Sequence, residues 1–217
     1  MEKPIERYWE IRLDKLKSAL EANNFTVYRA ENAEAAGRIL LETVLRETGA
    51  KTVSWGGSLT AAGTGVHDVL RNRSELDVID AFEKGITLEE SLNRRRRAFS
   101  ADLYLTGTNA VTETGQLVNL DRTGNRVAAL TFGPRHVVVF VGRNKLVGDL
   151  EDAFFRIKNY AAPVNAMRLD AKTPCVTISH CDDCRGPERL CNSWVITEKS
   201  FPKGRIKIVL INQELGF

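Results

Sequence analysis

Nowhere in this sequence do about 18 apolar residues follow one another, so no membrane-spanning helix is expected. The opening stretch, Met1 to Trp9, has no apolar run that reads as a signal peptide. A cytoplasmic protein is therefore expected, with cysteines that start as thiols. The sequence also lacks a dominant charge. Its 31 basic and 28 acidic residues leave a net +3, too balanced to point to nucleic acid or a membrane surface. Internal repeats, low-complexity tracts and an obvious linker are missing too. Cysteine is absent from the first 174 residues.

What is present is ordinary globular composition: 217 residues, 43% hydrophobic and 27% charged. That length suits one α/β domain with a core large enough to need no staples. Trp9, Leu13, Leu16 and Leu20 share one face of a short first helix that Asn23-Asn24 ends. A strand, Phe25 to Tyr28, precedes a helix capped by Asn32 with a buried stripe of Ala36, Leu40, Leu41, Val44 and Leu45. Lys51 to Trp55 reads as a strand. A helix over Leu59 to Asn72 follows, weakened by Gly63 and Gly65. Asp77 to Asp80 is a further strand. Thr87-Leu88-Glu89-Glu90 is a capping box, and the helix it opens ends in Arg94 to Arg97, cations expected to sit in water or else to bind an anion.

Ala101 to Thr106 is again a strand. Gln116–Leu120 and Arg126–Phe132 read as a hairpin across residues 121–125. His136 to Val141 is an unbroken apolar run, typical of a buried central strand. A helix from Asp149 to Tyr160 should stop before Pro163, and strands at Trp194–Glu198 and Arg205–Ile211 close the chain. Strands alternating with helices imply a mostly parallel sheet covered on both faces.

In such sheets ligands bind beyond the carboxyl ends of the strands. Two loops there have suitable composition. Gly56-Gly57-Ser58-Leu59-Thr60 offers close backbone approach and a helix start that favours an anion, or else a plain strand-to-helix turn. Gly107-Thr108-Asn109 leads through Glu113 to Gly115; Glu113 is the best acid, base or nucleophile candidate, or else holds its own loop together. Asn119, Asp121 and Asn125 flank this region, and Asn125 joins the candidate ligand set. His67 is within reach of the first loop, or else a satisfied structural histidine.

All four cysteines, Cys175, Cys181, Cys184 and Cys191, fall in a C-x5-C-x2-C-x6-C pattern. The two-residue spacer lets Cys181 and Cys184 reach one metal, and the outer pair completes a four-sulfur site for zinc or an iron–sulfur cluster. The pattern matches neither standard ferredoxin spacing nor a zinc finger. His180 could substitute as a ligand, and four reduced thiols in a tight loop, or a disulfide formed on isolation, is the alternative.

At these motifs the chain resembles the LUD domain of lactate-utilisation proteins, especially the small protein C type. The likeness rests on Val53–Ser58, Thr106–Gly115, Gly124-Asn125-Arg126, Phe132-Gly133-Pro134 and Val141–Lys145. It implies a three-layer α/β/α fold with a Rossmann-like sheet and an antiparallel hairpin, of the NagB/RpiA/CoA-transferase-like group. Residues 1–50 would be an N-terminal helical segment packed on a domain of residues 51–217, which includes the cysteine segment 175–191. The resemblance implies a part in L-lactate oxidation to pyruvate, as a small-anion-binding or accessory subunit. Other lactate-utilisation proteins, or a second copy of the chain, are the implied partners. Glu113-x-Gly115 also resembles the glutamate motif of CoA transferases, which would make Glu113 a nucleophile in a transferase- or isomerase-like enzyme.

Overall fold

The computed structural model of the chain describes residues 2–217. Helix α1 is Glu2–Ala22, longer than the first apolar stripe suggests, and it buries Leu13, Leu16 and Leu20. Trp9 is half-buried and Tyr8 is exposed. Strand β1, Thr26–Ala30, leads to α2, in which Ala33–Arg38, a wide-turned Ile39–Val44 and Leu45–Thr48 run on as one helix. Asn32 Oδ1 accepts from Ala35 N at 2.9 Å, the expected cap. Then follow β2 (Thr52–Trp55), α3 (Leu59–Ala62), α4 (Val66–Arg71), β3 (Asp77–Ile79) and α5 (Leu88–Arg97). The second half has β4 (Leu103–Gly107), β5 (Ala110–Thr112), β6 (Leu117–Asp121), α6 (Asn125–Thr131), β7 (His136–Gly142) and β8 (Leu146–Val147). Helix α7 runs on through Leu150–Arg156, Ile157–Ala161 and Ala162–Arg168. The single turn α8 (Cys175–Ile178), β9 (Ser193–Thr197) and β10 (Ile206–Ile211) complete the chain.

Six strands make a wholly parallel sheet in the order β1-β10-β7-β4-β2-β3. Its two faces are read off β7 by simple alternation. Val137, Val139 and Val141 pack with Leu13, Leu16, Leu20 and Leu130 of α1 and α6. Val138 and Phe140 pack with Leu40, Val44, Val66 and Leu70 of α2 and α4. The result is the three-layer α/β/α arrangement. Each fully buried leucine contributes roughly 1.5–3 kcal/mol of the driving force. Strand β1, within residues 1–50, is the edge of this sheet and pairs with β10.

Three sequence expectations fail. Residues 126–132 are not the second strand of a hairpin. Asn125–Thr131 is helical, because Val127 and Leu130, three apart, face the core as one helical stripe. The antiparallel pairing of β6 is instead with β5 and β9, in a separate four-stranded sheet, β8-β5-β6-β9. The expected helix over residues 59–72 is broken into α3 and α4 at Gly63–Gly65. Finally, α7 does not stop before Pro163. A wide turn at Ile157–Ala161, where Ala162 N–H reaches Ile157 O, opens the helix just before the proline ring.

Candidate functional site

Strands β2 and β4 are neighbours in the sheet, so the loops that leave their carboxyl ends meet. Gly56 N donates to Leu105 O at 2.9 Å, carrying the ladder one residue past β2. A Cβ on Gly56 would lie 2.6 Å from Tyr104 Oη, and one on Gly107 would lie 2.5 Å from Ser58 Oγ. Both bends therefore need glycine, because each lets another chain segment press against the backbone. Ser58 caps α3, its Oγ accepting from Ala61 N at 3.2 Å. The two bends form the floor of one cleft of about 660 Å³.

Gly56, Gly57, Ser58, Thr60, Gly107, Thr108, Asn109 and Asn125 all line this cleft. Several are committed to the protein itself. Thr60 Oγ1 donates to Leu215 O at 3.0 Å and Thr108 Oγ1 to Ala110 O at 2.8 Å. Asn109 Oδ1 accepts from Leu120 N and from Arg126 Nη2, each at 3.0 Å.

Glu113 and Gly115 are outside the cleft, which corrects the expectation that the carboxylate faces it. Glu113 is 58% exposed and pairs with Arg12 of α1 at 2.6 Å. Gly115 abuts Ala19 and Leu20 at the end of α1. The intervening loop closes on itself through Thr112 Oγ1, 2.9 Å from Thr114 Oγ1 and accepting from Gln116 N at 3.0 Å. This is the structural alternative for the loop.

The cleft holds cations that loop composition alone did not reveal. Arg71, Arg95, Arg122, Arg126, Arg168 and Lys145 line it, against one side-chain carboxylate, Asp121. Only Arg71 and Arg126 of these pair with side-chain carboxylates among the described residues. Arg126 is the hub. Its guanidinium bonds Asp121 Oδ2 (3.0 Å), Gly107 O (3.1 Å), Asn119 Oδ1 (2.6 Å), Asn109 Oδ1 (3.0 Å) and Leu120 O (3.1 Å). Arg95, from the basic run at the end of α5, is not in open water. It lies 5.4 Å over the Phe82 ring, and its buried Nε has no partner. Arg94 is likewise engaged, with Glu90 at 2.7 Å, Glu83 and Asp80 O, whereas Arg96 and Arg97 are exposed as expected.

His67 also lines the cleft, stacked on Trp55 with centroids 4.6 Å apart. Burial, reinforced by the Arg71 charge, lowers its pKa to about 4, so it is neutral at physiological pH; its buried Nε2 has no partner. Lys145 is only 2% exposed and donates to Phe217 O. Burial, then the charges of Arg156 and Arg126, lower its pKa to about 7. Arg126 and Lys145 lie within the resemblance motifs, so the signal that marks them was present. Arg71 and Arg168 carry no local signal, because helical spacing and tertiary packing alone aim them at the cleft.

A model of the LUD domain matches residues 13–211. The chain belongs to the LUD domain family. The match begins well before Lys51 and takes in β1, so this LUD domain includes the edge strand of its main sheet. No curated protein matches the chain. A crystal structure of a DUF162 family protein from Deinococcus radiodurans is similar, with a TM-score of 0.52 and 14% identity over 94% of this chain and 97% of that one. At that identity the likeness shows the fold. Membership of the LUD family carries an association with lactate utilisation at family level only. No helix among the described residues is long and apolar enough to cross a membrane.

The four cysteines are reduced and do not face the cleft. Burial, then the neighbouring thiols, push the Cys191 thiol up to about 11.

Proposed function

We propose that this LUD domain serves lactate utilisation as a ligand-binding component whose cleft holds an anionic molecule of cofactor size. The observation that carries the reading is the charge imbalance of the cleft. Arg95, Arg122 and Arg168 lack carboxylate partners among the described residues, and the lone lining side-chain carboxylate is already taken by Arg126. Unneutralised cations in a concave site concentrate anions and form charge-assisted hydrogen bonds with phosphate or carboxylate oxygens. Size supports the larger ligand. About 660 Å³ sits in the range that buries a drug-sized molecule, far more than a three-carbon acid fills. Trp55, Phe82, Leu120 and Leu190 supply apolar wall for a non-ionic portion.

The transferase reading finds no support in this geometry. Its nucleophile would be Glu113, which is held against α1. Partner lactate-utilisation proteins belong to the same proposal.

Calorimetry of the purified chain against lactate, pyruvate, an acyl-CoA and a sugar phosphate tests it. The expected result is binding of a multiply charged ligand, weakened at least about tenfold by Arg122→Ala, the loss of one charge-assisted contact worth about 1.5–3 kcal/mol. Binding unchanged in Arg95→Ala, Arg122→Ala and Arg168→Ala alike, or no binding by any of the four, contradicts it.

A further inference from the structure

Behind the cleft wall, all four cysteines of the chain line one second cavity, of about 20 Å³. Sequence closeness does not require this, since Cys175 sits on the turn α8 and Cys191 sixteen residues further on, just before β9. We infer that Cys175, Cys181, Cys184 and Cys191 form a four-thiolate site for a single zinc-type divalent cation, which pins residues 175–191 against α7.

Three observations bear on this. The first is cavity size. A volume of about 20 Å³ is the scale of one water-sized guest, which suits a single ion once the thiols turn toward it. Of the two four-sulfur occupants, the structure thus favours the single ion. The second is the poverty of the segment. Between α7 and β9 the chain has one helical turn, and its buried apolar support is Ala166, Ala171 and Leu190. Ordering backbone costs entropy, and that small patch, with Cys175 and Val176 packed at its edge, is little to offset it over more than twenty residues. A metal cross-link supplies what that patch lacks. The third is the surrounding charge. Arg189 donates to Cys191 O at 2.8 Å and to Cys184 O, and Lys158, which also lines the cavity, pairs with Asp183 at 2.7 Å. These two cations face the site, with Asp182 the one lining carboxylate.

On binding, four thiols release four protons to solvent and four S–Zn bonds form, leaving a site charge of −2 beside Arg189 and Lys158, both of which also face Asp183. Among the described residues no three His, Cys, Asp or Glu side chains are gathered in ligating geometry. Cys175 Sγ lies 3.3 Å from Thr173 Oγ1, and Cys181 Sγ accepts from Asp183 N at 3.4 Å. Neutral thiols have no reason to converge, and side-chain rotation toward a cation would exchange these weak contacts for bonds of about 2.3 Å. The consequence reaches the cleft through Leu190, 8% exposed and adjacent to Cys191, which lines both cavities. The site stands whether or not the cleft binds an anion.

The test is metal and acid-labile sulfide analysis of the full chain purified without oxygen, followed by cobalt(II) replacement. The expected result is about one zinc per chain without sulfide. A thiol-blocking mercurial should release it, and the cobalt form should show the visible bands and sulfur charge-transfer band of tetrahedral thiolate coordination. Cys181→Ser and Cys184→Ser should lose those bands. If either variant fails to fold, the wild-type cobalt spectrum decides. Metal-free protein whose four thiols titrate freely and which takes up no cobalt, iron with stoichiometric sulfide, or a cobalt spectrum without the sulfur band would overturn the site.

Discussion

Arg126 and Asp121 are each only 11% exposed, and the guanidinium spreads over five acceptors on two segments, 107–109 and 119–121. Removing it strands a nearly buried carboxylate and leaves the side chains of Asn109 and Asn119 short of a partner. Arg126→Ala should cost about 3–5 kcal/mol in denaturant unfolding, the penalty for breaking a buried pair from one side. Glu113 is the opposite case. Its ion pair with Arg12 is solvent-exposed, so Glu113→Gln should shift stability by no more than about 1 kcal/mol and leave cleft binding unchanged. Loss of ligand binding in that variant would return Glu113 to the site.

Lys145 gives the cleft a pH dependence. Its folded pKa is lowered to about 7, so between about pH 7 and its unfolded value the unfolded chain holds more protons than the folded one. Stability from this group therefore rises with pH across that window, by at most about 1.4 kcal/mol per unit. His67 acts with the same sign at lower pH, from about 4 up to its ordinary value. Anion affinity should run the other way and fall as pH passes about 7, because Lys145 loses its charge. Calorimetry at pH 6 and pH 8.5, with Lys145→Met as the control that flattens both trends, checks the sign.

At the scale of elements, the cleft floor depends on two bends in contact. Gly107→Ala would drive a methyl into Ser58 Oγ. It should cost about 1–3 kcal/mol, the usual range for overpacking. Ser58→Ala alone loses the α3 cap, worth about 1 kcal/mol. Combined, the two changes should cost less than their sum, since removing the hydroxyl makes room for the methyl. Strict additivity would mean the bends do not press on one another.

The elements were legible where one local rule decided. The Asn32 cap and the apolar β7 follow from composition at those positions, whereas Gly63 and Gly65 marked a weak point in residues 59–72 but not the break itself. Residues 126–132 misled because Val127 and Leu130 fit a strand almost as well as a helix over so short a run. Pro163 misled because a wide turn one step earlier absorbs its ring, and that turn has no sequence mark. Glu113 misled because its neighbours, Thr112 and Thr114, look like site chemistry but serve their own loop. The partner that settles it, Arg12, lies 101 residues away.

At the scale of the molecule, the parallel sheet places the ends of β2 and β4 side by side, and the small sheet with α7 builds the opposite wall. The glycine bends could be found by reading along the chain. Arg71 and Arg168 could not, because they come from two helices that converge on the cleft only on folding. The most direct test of the cleft is a crystal structure of the chain with the tightest anion from the calorimetric panel. Density for the ligand should lie over Gly57 and Gly107, with its charged groups against Arg95, Arg122 or Arg168. A fully occupied ligand bound elsewhere, with the cleft holding only water, would contradict the account.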